Sequence, residues 1–283
     1  AALFADKPYI HMFIPGNVMR FALPAAASII LAIYGSFEAS GLQTEFLTIP
    51  SAKIPKEIGR IRILQISDVH IGGAAGGAHV PKIIRAATAL APDVIVSTGD
   101  LVDGRGAYVA EAATAFRQLR PRWGKYAITG NHEFYLGLDK ALDFTKKAGF
   151  VPLSGEVATV AGILDLIGVD DPGGIANGAK TSLFERNLLS GLLPGHFKVL
   201  LKHRPVVDKN SVGLFDLQLS GHTHKGQIFP FSIFTKIAFP YHAGDYHLSN
   251  GSLLHVNRGA GVWGPPIRVL APPEVTVIDI ISR

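Results

Sequence analysis

Residues 61–70 read IRILQISDVH and residues 217–224 read LQLSGHTH. In each, a short apolar run gives way to a pair of potential ligands two positions apart, Asp68 with His70 and His222 with His224. If the strand continued through such a pair, both side chains would point to one face, so one strand end could deliver two ligands. The rhythm recurs between them: Val94–Val96 leads into Gly99 and Asp100, Tyr126–Ile128 into Gly130, Asn131 and His132, and Lys198–Leu201 into His203. Ile163–Ile167 is a further strand-like run, and the Ala-rich stretches His79–Ala91 and Ala107–Leu119 suit crossover helices. Apolar runs of this kind joined by helices predict strands buried on both faces and an α/β architecture. Ligands in open α/β sheets gather outside the carboxyl ends of the strands, so these residues, far apart in sequence, are expected to converge.

Composition narrows the chemistry. The 283 residues are 48% hydrophobic and only 17% charged, which excludes a disordered chain and points to some membrane contact. There is no cysteine, hence no disulfide framework, no thiolate-held zinc, no iron–sulfur cluster and no thiol nucleophile. A metal ion must be held by His, Asp, Glu and Asn, a donor set that suits Mn²⁺, Fe, Zn²⁺ or Mg²⁺. The formal charge of +5 is not concentrated in Lys/Arg runs, so no nucleic-acid partner is expected. Gly99, Gly130 and Gly221 beside the ligands let the backbone turn sharply and bring side chains close to an ion.

Taken in order, Asp68-Val69-His70, Gly99-Asp100-Leu101-Val102-Asp103-Gly104, Gly130-Asn131-His132-Glu133, His203 and Gly221-His222-Thr223-His224 resemble the blocks DxH, GDxxD/G, GNH[DE], H and GHxH of the calcineurin-like metallophosphoesterases. The stretches GHTHKGQ, Asn257–Arg268 (NRGAGVWGPPIR) and Pro272–Ile280 (PPEVTVIDI) are similar to a bacterial membrane-associated branch, which includes UDP-2,3-diacylglucosamine pyrophosphatase-type enzymes and related phosphodiesterases. The resemblance implies a four-layer αββα sandwich and two divalent metal ions (Mn, Fe or Zn) bridged by one carboxylate. It implies Asp68, His70, Asp100 and His224 as ligands of one ion and Asp100, Asn131, His203 and His222 of the other, with Asp100 as the bridge. His132 would sit by the phosphate and protonate or stabilise the leaving oxygen. Lys225 and Arg204 depart from the pattern; each either adds a substrate-binding cation near the phosphate or points to solvent.

The chemistry can also be reasoned from the residues. Two cations roughly 3.5 to 4 Å apart lower the pKa of a shared water and hold a hydroxide for in-line attack on phosphorus. What remains to be supplied is an acid for the leaving group, and an imidazole that titrates near neutrality, such as His132, meets that need. Asp103 or Glu133 would orient histidines. Ser67 and Ser220 lie in no GxSxG context and are not nucleophiles, and Gly72–Gly77 lacks the lysine and hydroxyl of a nucleotide-binding loop. The leading function is a two-metal phosphohydrolase, a phosphodiesterase or pyrophosphatase. A phosphomonoesterase or protein phosphatase, and a non-catalytic membrane scaffold, are the alternatives.

Two apolar stretches bear on location. Phe21–Phe37 is uncharged and sits at the short end of the ~17 to 25 residues that span a bilayer, with Pro24 and Gly35 inside it. It reads as an anchor or a docked helix rather than a cleaved signal peptide. Residues 1–45 form the anchoring or docking segment and 46–283 the metallophosphoesterase domain, with 39–60 a linker carrying one short strand, Phe46–Ile49. Gln227–Tyr241, QIFPFSIFTKIAFPY, follows the last ligand and is either a buried hairpin or an apolar lip meeting a bilayer or an acyl chain. The lip reading leads to a lipid-linked phosphoester as substrate, such as UDP-2,3-diacylglucosamine, and to a bacterial inner-membrane location.

Overall fold

Strand polarity is legible in which side chains of one strand reach which core. In β2 (Arg60–Ile66), Ile61 and Ile63 pack between two sheets while Leu64 and Ile66 pack under helices, the period-2 alternation of a strand buried on both faces. The same split holds in β3 (Val94–Ser97), where Val94 and Val96 face inward and Ile95 outward. The computed structural model describes residues 17–73, 77–177 and 185–283. Residues 74–76 of the Gly72–Gly77 stretch and the first 16 residues of the N-terminal segment therefore lie outside the described residues.

The first sheet also contains β1 (Gln43–Ser51), β4 (Lys125–Ala127), β5 (Val151–Pro152) and β12 (Glu274–Ser282), in the order β1-β12-β2-β3-β4-β5. The second contains β6 (Glu156–Val160), β7 (Leu164–Gly168), β8 (Phe197–Leu201), β9 (Leu217–Ser220), β10 (Gly244–His247) and β11 (Leu253–Val256), in the order β10-β11-β9-β8-β7-β6. Strands β2 to β5 run parallel, as do β7, β8, β9 and β11. Facing residues such as Ile63, Val96, Leu166, Val199, Leu219 and Ile278 fill the space between the sheets. Helices α2 (Val80–Leu90), α3 (Ala107–Gln118) and α5 (Leu138–Lys147) cover the outer face of the first sheet through Ile83, Phe116 and Phe144. Leu189 of α6 (Glu185–Ser190) packs with Ile167 and Leu200 on the outer face of the second. The result is the expected four-layer αββα sandwich, and α4 (Asn131–Leu136) enters from the end where the parallel strands finish.

One expectation is corrected. Residues 39–60 are not a linker with a short strand: β1 is nine residues long and pairs parallel with β12, residue for residue from Gln43–Glu274 to Ser51–Ser282. The pairing partner lies more than 200 residues away, which local composition does not register. The apolar N-terminal stretch forms α1 (Asn17–Ser40), whose side chains are largely exposed and whose length and composition suffice to cross a membrane. Among the described residues, its last turns touch the domain. The Gly35 carbonyl accepts from the Arg268 N–H at 2.9 Å, and a Cβ at Gly35 would meet Ile267 Cγ2 at 2.2 Å. Glu38 Oε1 accepts from the Ala271 N–H at 2.6 Å, and Lys82 Nζ donates to the Ser40 carbonyl.

Candidate metal centre

Every ligand-type residue expected from the sequence lies at the carboxyl end of a parallel strand, but not in the way a continuing strand would place it. β2 ends at Ile66 and β9 at Ser220, and Asp68, His70, Asp100, His222 and His224 all take left-handed backbone conformations, with φ of 50°, 54°, 51°, 73° and 47°. Such residues cost about 1–3 kcal/mol each and persist where tertiary structure over-determines them, which is typical of functional sites. The loops are packed so tightly that only glycine fits beside the ligands. A Cβ at Gly221 would lie 2.2 Å from Asp68 Oδ2, and one at Gly130 would lie 2.2 Å from Asp100 Oδ1.

Three donor groups result: Asp68, His70 and His224; Asp100, His203 and His222; and His70, Asp100 and His132, which joins the other two. Within each, the donor atoms lie within 4.8 Å of one another. His70 Nε2 is 3.0 Å from His224 Nε2, which is 3.4 Å from Asp68 Oδ1. His203 Nε2 is 3.2 Å from Asp100 Oδ2 and 3.1 Å from His222 Nδ1. Donor atoms gathered this closely could hold a metal ion.

Ring orientation is set from behind. His203 Nδ1–H donates to the Thr98 carbonyl at 2.8 Å, and His70 Nδ1–H to Asp103 Oδ2 at 2.8 Å, which leaves each Nε2 facing the centre. Asp103 Oδ1 lies 3.1 Å from His132 Nδ1, so this carboxylate serves two histidines as expected. Glu133 does something else: it accepts from the N–H groups of Gly130 at 2.7 Å, Asp100 at 3.0 Å and Leu101 at 2.7 Å, tying the two ligand loops together rather than orienting a ring. Asn131 is buried and its Oδ1 has no hydrogen-bond partner. A buried amide oxygen left unpaired costs about 1–3 kcal/mol, so this one fits a cation.

Electrostatics set His222 and His224 apart from His203. Burial pushes His222 and His224 down to about 4, leaving neutral rings with lone pairs to donate. Burial works against ionisation of Asp68 and Asp100 too, but the surrounding His224, His203 and His70 hold both well below the usual carboxylate range. Burial opposes protonation of His203, yet the Asp100 carboxylate raises it to about 10. His132 is likewise raised against its burial, by Asp103 and Asp100.

The centre opens into a cavity of about 820 Å³. His70, Asp100, Asn131, His132, His222 and His224 line one side, and Ile228, Phe231, Phe234, Phe239, Trp263 and Pro265 the other. Arg204 does not line it; its Nε and Nη2 lie 2.7 and 3.0 Å from the two oxygens of buried Asp171. Lys225 lines a separate cavity of about 510 Å³ with Tyr34, Glu38 and Leu270. Ser67 donates to Asp68 Oδ2 and Ser220 accepts from Gln218, in keeping with structural roles. The stretch after His224 is not a buried hairpin: it forms helix α7 (Phe231–Ala238), none of whose residues is buried.

Sequence reasoning missed Arg268. This fully buried guanidinium donates to the carbonyls of Arg258, Gly261 and Ala271 and lies 2.9 Å from His224 Nδ1, so it builds the wall behind that ring. An arginine among so many glycines and prolines was the available signal.

His/Asp clusters linked through His70 and Asp100 at the strand ends of an αββα sandwich form a donor set for metal ions. Residues 61–226 match the calcineurin-like phosphoesterase family, and the chain belongs to it. It is 36% identical over 258 residues to an uncharacterized metallophosphoesterase of Aquifex aeolicus (strain VF5), covering 90% of this chain and 98% of that one. It is 32% identical over 285 residues to the metallophosphoesterase YkuE of Bacillus subtilis (strain 168), covering 94% of each. The bovine transmembrane protein with metallophosphoesterase domain is 29% identical over 275 residues, which cover 91% of this chain and 62% of that protein. The family uses two divalent metal ions, and the donor groups here are able to bind them.

Proposed function

We propose that the chain is a membrane-attached phosphodiesterase or pyrophosphatase that cleaves a lipid-linked phosphoester. The carrying observation is the cavity, which joins a polar wall of His, Asp and Asn to an apolar wall of Phe, Trp and Ile. A phosphoester bearing an acyl or prenyl tail satisfies both walls, whereas a small hydrophilic ester leaves Phe231 and Phe234 facing water. Helix α1 supports attachment to a membrane, and the similarity to bacterial chains favours the bacterial inner membrane.

In this reading Asp68, His70, Asp100 and His224 hold one divalent ion and Asp100, Asn131, His203 and His222 the other. When bound, such a pair supplies an activated water and neutralises phosphate charge. The chain supplies the rest. Thr98 and Asp103 keep His203 and His70 in the tautomers that present Nε2, and Glu133 holds the loops at the distance the ligands need. His132, whose hold on a proton Asp103 and Asp100 strengthen against its burial, gives that proton to the leaving oxygen. The apolar wall excludes water and seats the tail.

The test compares a lipid-linked diphosphate such as UDP-2,3-diacylglucosamine in mixed micelles with a soluble aryl phosphodiester. Phe231→Ser and Phe234→Ser are expected to lower kcat/KM for the lipid substrate by 10-fold or more, about the value of one or two buried side chains, and to leave the aryl substrate nearly unchanged. Equal losses on both substrates would sink the lipid reading.

A further inference from the structure

Helix α7 carries one broad apolar arc, and the cavity uses only an edge of it. Phe231, Phe234 and Thr235, at i, i+3 and i+4, line the cavity. Ile233 and Ile237, four apart, continue the same apolar arc beyond the cavity, line neither of the cavities described above and are 52% and 76% exposed. Phe229 just ahead of the helix and Trp263 beside it are also exposed. A substrate in the cavity does not cover Ile233 or Ile237, so this part of the apolar arc of an amphipathic helix, opposite Ser232, Thr235 and Lys236, needs a second covering.

What the patch is continuous with identifies that covering. Residues 263–270 form a strap with one edge on the entry to α7 and the other on α1. The Phe229 N–H donates to the Val269 carbonyl at 3.2 Å, the Val269 N–H to the Gln227 carbonyl at 2.9 Å, and Gln227 Nε2 to the Trp263 carbonyl at 2.6 Å. On the other edge, the Arg268 N–H reaches Gly35 of α1 and Ile267 fills the space beside it. Exposed Leu270 and Trp263 on the strap thus extend the bare apolar surface of α1 towards α7. Exposed Lys236 adds a cation to α7, the combination of apolar bulk, Trp and Lys that suits the headgroup boundary of a bilayer.

We propose that α7 and the Trp263 turn form a second membrane contact, lying in the bilayer interface next to α1, so that the mouth of the metal-side cavity is held at the lipid surface. The proposal rests on the membrane attachment of α1 proposed above and is independent of which substrate the site takes. The chain has only two tryptophans, and Trp123, which precedes β4, lies at the opposite ends of the strands from the ligand loops. In full-length protein carrying Trp123→Phe, reconstituted into phosphatidylcholine/phosphatidylglycerol vesicles, bromines placed high on the acyl chains should quench Trp263 fluorescence at least twofold. The Trp263→Phe protein, reporting Trp123, should show no quenching. Ile233→Ser with Ile237→Ser in the Trp123→Phe background should roughly halve the Trp263 quenching and leave turnover of a soluble aryl phosphodiester in detergent unchanged. Absence of Trp263 quenching would overturn the proposal. So would efficient disulfide cross-linking of two copies through Ile237→Cys, which is unambiguous in a chain without cysteine and would place a second copy on the patch.

Discussion

The two ends of the parallel strands make an instructive pair, because both carry a sizeable cavity with charged or polar side chains in its wall and only one has the marks of a site. At the carboxyl ends, ligand loops hold strained backbone, crowded ring nitrogens and an unpartnered amide oxygen. At the amino ends, a cavity of about 580 Å³ is lined by Arg117, Arg120, Lys125, Lys146 and Lys147. Its one buried cation, Lys125, is already accounted for: Nζ donates to the Phe116 carbonyl in the last turn of α3 and to the Ala148 carbonyl at the end of α5, at 2.8 Å for the latter. Capping two helix ends is what a lysine there does. Charge in a concavity is thus weak evidence of function, whereas an unpartnered amide oxygen set among converging His and Asp donors is strong evidence.

Asp100→Ala removes the residue shared between two donor groups, and should abolish stoichiometric metal binding and cut hydrolysis by more than about 10³-fold, several kcal/mol of lost charge stabilisation. Metal content and aryl phosphodiester turnover check this together. His132→Gln should lower kcat by about 10²- to 10⁴-fold with metal content retained, since the ring touches the cavity but the other groups remain. At the opposite end, Lys125→Met should destabilise the fold by about 1–3 kcal/mol in urea titration and leave turnover per folded molecule unchanged. Loss of activity there would show that the basic cavity takes part in the reaction.

The smallest effect separates the ends by pH. His79, just ahead of α2, is pushed down to about 4 by burial and by Arg268 and Lys82, and its Nδ1 has no hydrogen-bond partner. A folded-state value below the unfolded 6.5 means that the unfolded chain binds more protons, so stability is intact above 6.5 and falls as pH drops towards 4. At pH 5 the loss should be about 1–2 kcal/mol, and His79→Gln should flatten the profile between pH 7 and 5 by that amount. An unchanged profile would show that His79 is solvated in the folded protein.

Much of the fold was legible because it is encoded locally. Strands such as Ile61–Ile66 and helices such as Ala107–Leu119 came out within a residue or two, since runs buried on both faces and Ala-rich crossovers are set by neighbours in sequence. β1 and β12 were not legible as a pair, because their partners are set by docking across the length of the chain. Asp103 behind two histidines could be anticipated from its place in the motif, while the work of Glu133 on three backbone N–H groups could not. Arg268 was invisible for the same reason: its carbonyl partners are created by a loop that exists only once the strands have assembled.

Residue chemistry and order by themselves determined the class: a cysteine-free chain with Asp, His and Asn after successive apolar runs can hold divalent ions and little else. Tertiary structure decided the rest. It made the ligand loops left-handed, since side chains delivered from two different sheets meet only if the backbone turns back on itself. It also opened the apolar stretch after His224 into a bare helix against the cavity. Periodicity reports that a segment is apolar, but only packing decides whether the protein, a ligand or a membrane covers it.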